Sequence, residues 1–182
     1  MYYDHTPHFI YPWEIQNVLS SSYFYASGLV FVLDKQKNGY DLNIVEQPVV
    51  KYQEEVQRSF KDGKTLVIKG LENFNENIAN YARSLGLGVD VHMYLVPENG
   101  DHAFDFHVDD RDVVIHGVYG KKDFEIIRQG VILPYSPTDV TQGIVIRQGE
   151  KHRAIPRGGS CILSFGIPLN HKLRKFELPE AS

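Results

Sequence analysis

Two stretches in the first half of the chain place apolar residues at helical spacing. One predicted helix runs from Val49 to Phe60, with charged residues between its apolar positions, and Asp62-Gly63 ends it. A second helix is predicted to be capped by Asn73 and ended by Gly86, and its apolar face is formed by Ile78, Tyr81, Ala82 and Leu85. A shorter helix is predicted at Pro12–Leu19, because proline is favoured in a first helical turn.

Short β-branched or alternating runs predict strands, and they dominate the chain from Gly88 onward. Between Val89 and Val96, apolar residues alternate with Asp90, His92 and Tyr94, so these three side chains are expected on one face. The other predicted strands are 28–33, 65–68, 103–108, 112–119, 123–128, 143–147, 153–156 and 160–167. Many short strands separated by turns predict a β-sandwich or jelly-roll barrel. The helical first half is expected to cover its outside.

Length and composition favour one soluble domain. The 182 residues suffice for a single core, which we assign to residues 1–182, with 1–87 as a helix-rich covering segment and 88–170 as the barrel. A net charge of −4 argues against nucleic acid as a partner. The first residues lack the charged and apolar pattern of a signal peptide, so none is expected. The sequence has no apolar run of membrane-spanning length, and its one cysteine precludes an internal disulfide. We therefore expect a cytoplasmic protein with no membrane partner.

His107 and Asp109 form a candidate pair of metal ligands. Side chains two residues apart on a strand point to the same face, and His152, after the Gly149 turn, could supply a third ligand. Two histidines and one carboxylate on one side of an octahedron leave the opposite positions open, as in non-haem Fe(II) oxygenases. His-x-Asp is nevertheless a short pattern that solvated surface pairs share. Asp110 and Asp112 are competing carboxylates.

Several elements in order make the chain similar to the JmjC and cupin-type Fe(II)/2-oxoglutarate oxygenases. The segments that carry the resemblance are 93–97, 107–115, 120–124, 143–152 and 161–167. They span about half of the chain, and Lys122 lies 13 positions after Asp109, at the place of a basic family residue. The branch that it most resembles contains the bacterial ribosomal-oxygenase-like proteins and the asparaginyl hydroxylases. Gly117 replaces a frequent glutamine, and Phe124 stands where tryptophan is common.

The resemblance implies a double-stranded β-helix and a hydroxylase that consumes dioxygen and 2-oxoglutarate. By this likeness His107, Asp109 and His152 would hold Fe(II). Lys122 would bind the distal carboxylate of 2-oxoglutarate, with Lys121 as the alternative, and Tyr94 is either a hydrogen-bond donor to the cosubstrate or a core residue. The substrate is an unidentified small molecule, peptide or protein side chain. The dimerisation modules of ribosomal oxygenases do not follow the barrel, so a smaller target is expected and the oligomeric state stays open.

Two rival functions use the same predicted barrel. One is a metal-dependent cupin enzyme that does not use 2-oxoglutarate, in which Lys122 would be dispensable. The other is a non-catalytic cupin that binds a ligand without metal. Further candidates are the arginines Arg147, Arg153 and Arg157 as readers of an anionic substrate, and Ser160 and Ser164 as lining residues. The histidines His5, His8, His92 and His102 are interpreted as surface or structural residues. His116, which precedes Gly117, is expected to face the other way if its strand is regular.

Overall fold

The computed structural model describes residues 9–36, 38–41, 47–100, 103–135 and 143–168. The α-helices are α1 (Pro12–Ser20), α2 (Ser22–Ala26), α3 (Val49–Lys61) and α4 (Glu76–Leu85), with a 3₁₀ turn at Leu71–Asn73. The first five strands are β1 (Val30–Asp34), β2 (Gly39–Tyr40), β3 (Leu66–Lys69), β4 (Asp90–Val96) and β5 (Asp112–Tyr119). The other five are β6 (Lys122–Arg128), β7 (Val131–Tyr135), β8 (Ile144–Ile146), β9 (Lys151–Pro156) and β10 (Ser160–Ile167).

The strands form two antiparallel sheets. The larger sheet has the order β2-β1-β3-β4-β10-β5-β8, and the smaller sheet has the order β7-β6-β9. The chain is therefore mainly β with a few helices in its first half, as the sequence predicted. Three strands of the first half, β1 to β3, extend the larger sheet, so this half contributes more than a covering layer.

The helices pack on one face of the larger sheet and form the main core with it. The amphipathic patterns are confirmed here, because α3 buries Tyr52 and Val56 while α4 buries Ile78 and Ala82. Strand β4 directs its odd-numbered apolar residues into this core, which leaves Asp90, His92 and Tyr94 on the opposite face. That alternation is what the sequence predicted.

The second core lies between the two sheets and is smaller. It is built from apolar side chains of both sheets, namely Val113, Ile115, Phe124, Ile126, Ile144, Ile146 and Ile162. Beside it the sheets enclose a cavity of about 540 Å³, which falls within the usual size range of small-molecule sites. The cavity is thus bounded by the polar face of β4 on one side and by the smaller sheet on the other.

Four local predictions are wrong or incomplete. Residues 103–108 do not form a strand, because only His107 makes a β-bridge, and Val108 is 57% exposed instead of lying on a buried apolar face. Asn75, not Asn73, caps α4 by accepting a hydrogen bond from the Ile78 amide. Strand β7 was not predicted; it contains Pro134, which is tolerated because β7 lies at the edge of its sheet. Helix α2 was also missed.

Some predictions concern residues outside the described ranges. His5, His8 and His102 fall there, as does Lys37, the first residue of the turn that the Asn-Gly pair predicts at Lys37-Asn38-Gly39-Tyr40. The next turn residue, Asn38, adopts a positive φ of 47°, in agreement with its predicted role. None of the helices in the described ranges has the length and hydrophobicity of a membrane-spanning segment.

Candidate metal centre and cavity

His107 and His152 stand side by side because their backbones form a single antiparallel bridge. Each backbone amide donates to the other residue's carbonyl at 2.9 Å, and the imidazole centroids lie 4.3 Å apart. The carbonyl of Asp109 accepts from the Gly149 amide at 3.1 Å, which fixes this segment to the turn before β9. Gly149 has a φ of +78°, a conformation that favours glycine. A turn and one bridge therefore bring together residues far apart in sequence.

The side chains of His107, Asp109 and His152 converge on one point. The two Asp109 carboxylate oxygens lie 4.0 Å from His107 Nε2 and 3.5 Å from His152 Nε2. All three candidate ligand atoms lie within 4.8 Å of one another. Metal–nitrogen and metal–oxygen bonds are about 2.1 Å long, so small side-chain rotations would close this group onto an ion. The group could therefore hold a metal ion, with three protein ligands.

Hydrogen bonds orient both imidazoles for metal binding. His107 Nδ1 lies 2.7 Å from the Asp105 carbonyl, and His152 Nδ1 lies 2.9 Å from the Glu150 carbonyl. A carbonyl only accepts, so each Nδ1 carries the proton and each Nε2 presents a lone pair towards Asp109. Burial lowers the pKa of His152, which favours the neutral form that binds metals. Metal-bound histidines commonly donate a hydrogen bond of this kind from their other ring nitrogen.

An ion-pair network holds the turn that precedes His152. Arg128 donates to the Glu150 carboxylate from Nε at 2.5 Å and from Nη2 at 3.0 Å, and the Arg147 amide donates to it at 2.7 Å. Burial raises the pKa of Glu150, but these donors lower it more, so the pKa lies below its ordinary value. Because the Glu150 carbonyl accepts from His152 Nδ1, the network that holds Glu150 also helps to fix the orientation of this imidazole.

Lys122, not Lys121, faces the cavity. Lys122 is 4% exposed and lines the cavity wall, whereas Lys121 is exposed. Its ammonium lies 5.0 Å from the centroid of the Tyr94 ring, and no carboxylate of the described ranges lies within ion-pair distance of it. Burial lowers the pKa of Lys122 from 10.5 to about 8. An ammonium buried without an anion is costly, and a bound carboxylate would offset that cost.

Tyr94 also lines the cavity, with its ring beneath the Lys122 ammonium. Burial raises the pKa of Tyr94, and the nearby Tyr40, Asp109 and Asp90 raise it further. The phenol therefore stays protonated at neutral pH and can act as a hydrogen-bond donor. Its hydroxyl makes no hydrogen bond to other residues in the described part of the chain.

Most other candidates have structural partners. The three arginines near the distal histidine pair with carboxylates, Arg147 with Asp112, Arg153 with Glu125 and Arg157 with Asp123. They do not line the cavity. Asp112 also accepts from the Gln148 amide, and Asp110 pairs with Arg111, so neither joins the group at Asp109. Ser164 lines the cavity, while Ser160 is buried away from its wall.

His116 lies on the opposite face of β5, as the regular strand predicted. Its Nε2 is 2.8 Å from the Tyr81 hydroxyl, and its ring packs against Phe9 and Phe165 in the main core. Burial lowers the pKa of His116 to about 4, so it is neutral at physiological pH. His116 is a core histidine.

Sequence reasoning missed two cations of the cavity wall, Lys69 and Arg111. Lys69 is the last residue of β3, and β3 pairs with β4 so that Lys69 lies opposite His92. The register of this pairing places Lys69 next to the polar face of β4. The alternation of β4 was readable from the sequence, but its neighbour in the sheet was not.

Comparisons with known proteins give distant similarities only. No family model matches the chain, and no curated protein matches it. Among solved structures, Escherichia coli ycfD aligns with a TM-score of 0.47 and 15% identity over 58% of this chain and 34% of that chain. The E. coli ribosomal oxygenase YcfD in complex with cobalt and 2-oxoglutarate aligns with a TM-score of 0.45 and 17% identity over 58% of this chain and 32% of that chain. Protein NMB1881 from Neisseria meningitidis aligns with a TM-score of 0.35 and 15% identity over 45% of this chain and 76% of that chain.

The chain spans about a third of the length of the two E. coli chains. Similarities at this distance do not assign it to a family.

Proposed function

We propose that this protein is an Fe(II)- and 2-oxoglutarate-dependent oxygenase. The observation that carries the proposal is one cavity lined both by the His107–Asp109–His152 group and by the buried Lys122 ammonium, which lacks an anionic partner among the described residues. A metal site with open positions and a separate buried cation match the two ends of 2-oxoglutarate. The sequence resemblance described above points to the same reaction class.

The donor set fits Fe(II), since two neutral imidazoles and one carboxylate are ligands that such an ion accepts. His107 and His152 would bind through Nε2, and Asp109 through a carboxylate oxygen. Fe(II), when bound, supplies the dioxygen chemistry that couples decarboxylation of 2-oxoglutarate to oxidation of a C–H bond. The protein contributes the orientation of the ligands and the exclusion of water.

Lys122 and Tyr94 would bind the cosubstrate. The Lys122 ammonium would form a charge-assisted hydrogen bond with the distal carboxylate, and the protonated Tyr94 hydroxyl can donate a second bond. The apolar side chains beside them, including Phe124 and Ile162, shield this contact from water. A low local dielectric strengthens both interactions.

We also propose a double-stranded β-helix as the fold that carries this site. Two facing antiparallel sheets with polar residues between them support that assignment. In this proposal residues 1–182 form one domain, with 88–170 as the catalytic core. Within residues 1–87 the helices cover the core and β1 to β3 widen the larger sheet. The proposed substrate is a small molecule, peptide or protein side chain. The proposed location of the protein is the cytoplasm.

An anaerobic titration tests the proposal. Metal-free protein is titrated with Fe(II) and then with 2-oxoglutarate, and the visible absorption is followed. We expect a weak charge-transfer band that is absent in His107→Ala and greatly weakened in Lys122→Met, with Lys121→Met as the matched control on an exposed neighbour. Iron binding without a band would refute 2-oxoglutarate use and favour another metal-dependent cupin. No iron binding would leave a non-catalytic ligand-binding module.

Removal of the Glu150 carboxylate is expected to weaken metal binding. In Glu150→Gln, Arg128 loses its carboxylate partner and the turn that orients His152 is no longer held. Loss of such outer contacts typically costs about 10–100-fold in metal affinity. Competition with a coloured chelator measures the affinity. The exposed Glu54→Gln serves as control, and equal affinities for both variants would show that the network does not position His152.

A further inference from the structure

A second polar cluster lines the cavity, formed by Lys69, Asp90, His92 and Arg111. The Asp90 carboxylate accepts from Arg111 Nη1 at 3.0 Å and lies 3.1 Å from His92 Nε2. Although burial opposes it, the contacts with His92 and Arg111 hold the pKa of Asp90 below its ordinary value. None of the four belongs to the metal-binding group or contacts Lys122 in an ion pair. The proposed reaction therefore leaves this cluster without a role.

Gly166 makes room for the central ion pair of this cluster. It lies on β10 opposite Asp90 of β4 and Val113 of β5, so the Asp90–Arg111 pair crosses the sheet directly above it. A Cβ atom at position 166 would come within 2.5 Å of Asp90 Oδ1 and 2.9 Å of Arg111 Cδ. The guanidinium is thus anchored in a fixed position by Asp90 and, through Nε at 2.8 Å, by Asp110.

Lys69 brings a second cation to the same place. Its ammonium lies over two aromatic rings, 4.7 Å from the Phe31 centroid and 4.8 Å from the Tyr40 centroid. It makes no ion pair or hydrogen bond with other residues in the described ranges. Burial lowers the pKa of Lys69; the charge of Asp90 opposes this, and that of Arg111 adds to it. The Asp90 carboxylate is already engaged by Arg111 and His92, so the Lys69 ammonium keeps no paired anion of its own among the described residues.

A series of aromatic contacts connects this cluster with the metal-binding group. The Tyr40 ring beneath Lys69 is 5.8 Å from Phe104, and Phe104 is 5.4 Å from the His107 ring. Phe104, Tyr40 and His107 all line the cavity. A ligand held by its charged end at Lys69 would extend along an aromatic wall towards His107. The charged end would be fixed, and an apolar segment would reach the metal.

We propose that Lys69, assisted by Arg111, binds the anionic group of the primary substrate. The substrate would be an organic anion with a carboxylate or phosphate at one end and an apolar segment at the other, which places a C–H bond near the metal. This inference rests on the proposed oxygenase function, because only that function makes the bound anion a substrate. It assigns to the Lys69 ammonium a binding role separate from that of Lys122.

Calorimetric titration with defined probes tests the assignment. Hexanoate, hexyl phosphate and the uncharged hexanamide are titrated anaerobically into protein saturated with Fe(II) and 2-oxoglutarate, so that the Lys122 end is occupied. We expect at least one anion to bind about tenfold or more tightly than hexanamide, because charged hydrogen bonds contribute this much. Comparison of the two anions shows whether carboxylate or phosphate is preferred. Equal binding of all three probes would overturn the inference.

Variants then locate the binding. In Lys69→Met the preferred anion is expected to bind about tenfold or more weakly, whereas Lys69→Arg and the exposed control Lys51→Met retain binding. The charge-transfer band with 2-oxoglutarate is expected to persist in Lys69→Met, which also shows that the variant is folded. Unchanged anion affinity in Lys69→Met refutes the site. Loss of the band in Lys69→Met but not in Lys122→Met would make Lys69 the cosubstrate lysine and equally refute it.

The anion titration repeated on metal-free wild type and metal-free Lys69→Met, beside the Fe(II) and 2-oxoglutarate titration, separates the two proposals. If anions bind the metal-free protein through Lys69 while the iron-loaded protein gives no band with 2-oxoglutarate, the oxygenase proposal fails and the anion site stands. If the iron-loaded protein gives the band but anion binding does not depend on Lys69, the anion site fails and the oxygenase proposal stands.

Discussion

Asp109→Ala is expected to abolish metal binding and, with it, the formation of succinate from 2-oxoglutarate. Asp109 supplies the only carboxylate of the group that converges with His107 and His152 in the described structure. Its oxygens lie 3.5 and 4.0 Å from the two Nε2 atoms, so no other residue of the group can replace them. Loss of a residue that only hydrogen-bonds to a metal ligand costs about 10–100-fold in metal affinity. Loss of a ligand itself should reduce the affinity by more than this.

The measurement combines chelator competition for the metal with a succinate assay. Asp62→Ala is the control, because Asp62 is exposed at the end of α3 and does not line the cavity. Retained succinate formation in Asp109→Ala would show that the ligand assignment is wrong. Loss of metal binding in both variants would indicate a general effect on folding, which circular dichroism of the two proteins distinguishes.

The sequence predicted the convergence of the metal-binding group for a partly mistaken reason. The prediction placed His107 and Asp109 on one face of a strand, whereas the structure gives only a bridge at His107. The segment is held by side-chain contacts that no local pattern reveals, such as the Asp105 amide donating to Asn38 Oδ1 at 2.7 Å. The histidine pairing survives because one bridge and the Gly149 turn suffice to bring the two residues together.

Alternation along regular strands was the most reliable source of prediction. Strand β5 spans Asp112–Tyr119 as predicted. The alternation of β4 correctly predicted that Asp90, His92 and Tyr94 share one face, and the structure turns that face towards the cavity. The cation cluster was not predictable in this way. Lys69 reaches the cavity only through the register between β3 and β4, and Arg111 through an ion pair across Gly166. Such contacts depend on which strands become neighbours.

Lys122→Met is expected to stabilise the ligand-free protein while it weakens 2-oxoglutarate binding. The buried ammonium of Lys122 lacks an anionic partner in the described ranges, and burial lowers its pKa from 10.5 to about 8. A difference of this size corresponds to about 3 kcal/mol of unfavourable free energy when the lysine is charged. Methionine fills a similar volume without charge, so the free energy of unfolding should rise at neutral pH.

The pH dependence of this stability difference has a definite sign. The folded protein binds the Lys122 proton less tightly than the unfolded chain does, so the destabilising effect is fully present below about pH 8. It disappears as the pH rises from about 8 to 10.5, where the lysine is neutral in both states. Urea unfolding at about pH 7 and about pH 10 should therefore show a wild-type deficit relative to Lys122→Met that shrinks at the higher pH.

The exposed Lys121→Met is the matched control, and its unfolding free energy should stay within about 0.5 kcal/mol of wild type at both pH values. A Lys122→Met protein that is less stable than wild type at neutral pH would mean that the ammonium has an anionic partner within the folded chain. Lys122 would then be a structural residue, and the cavity would lose the charge that the cosubstrate requires. We expect Lys122→Met to be more stable than wild type and to lose 2-oxoglutarate binding. This result would indicate that the Lys122 ammonium serves to bind the ligand, because selection for stability alone would have removed a buried unpaired charge.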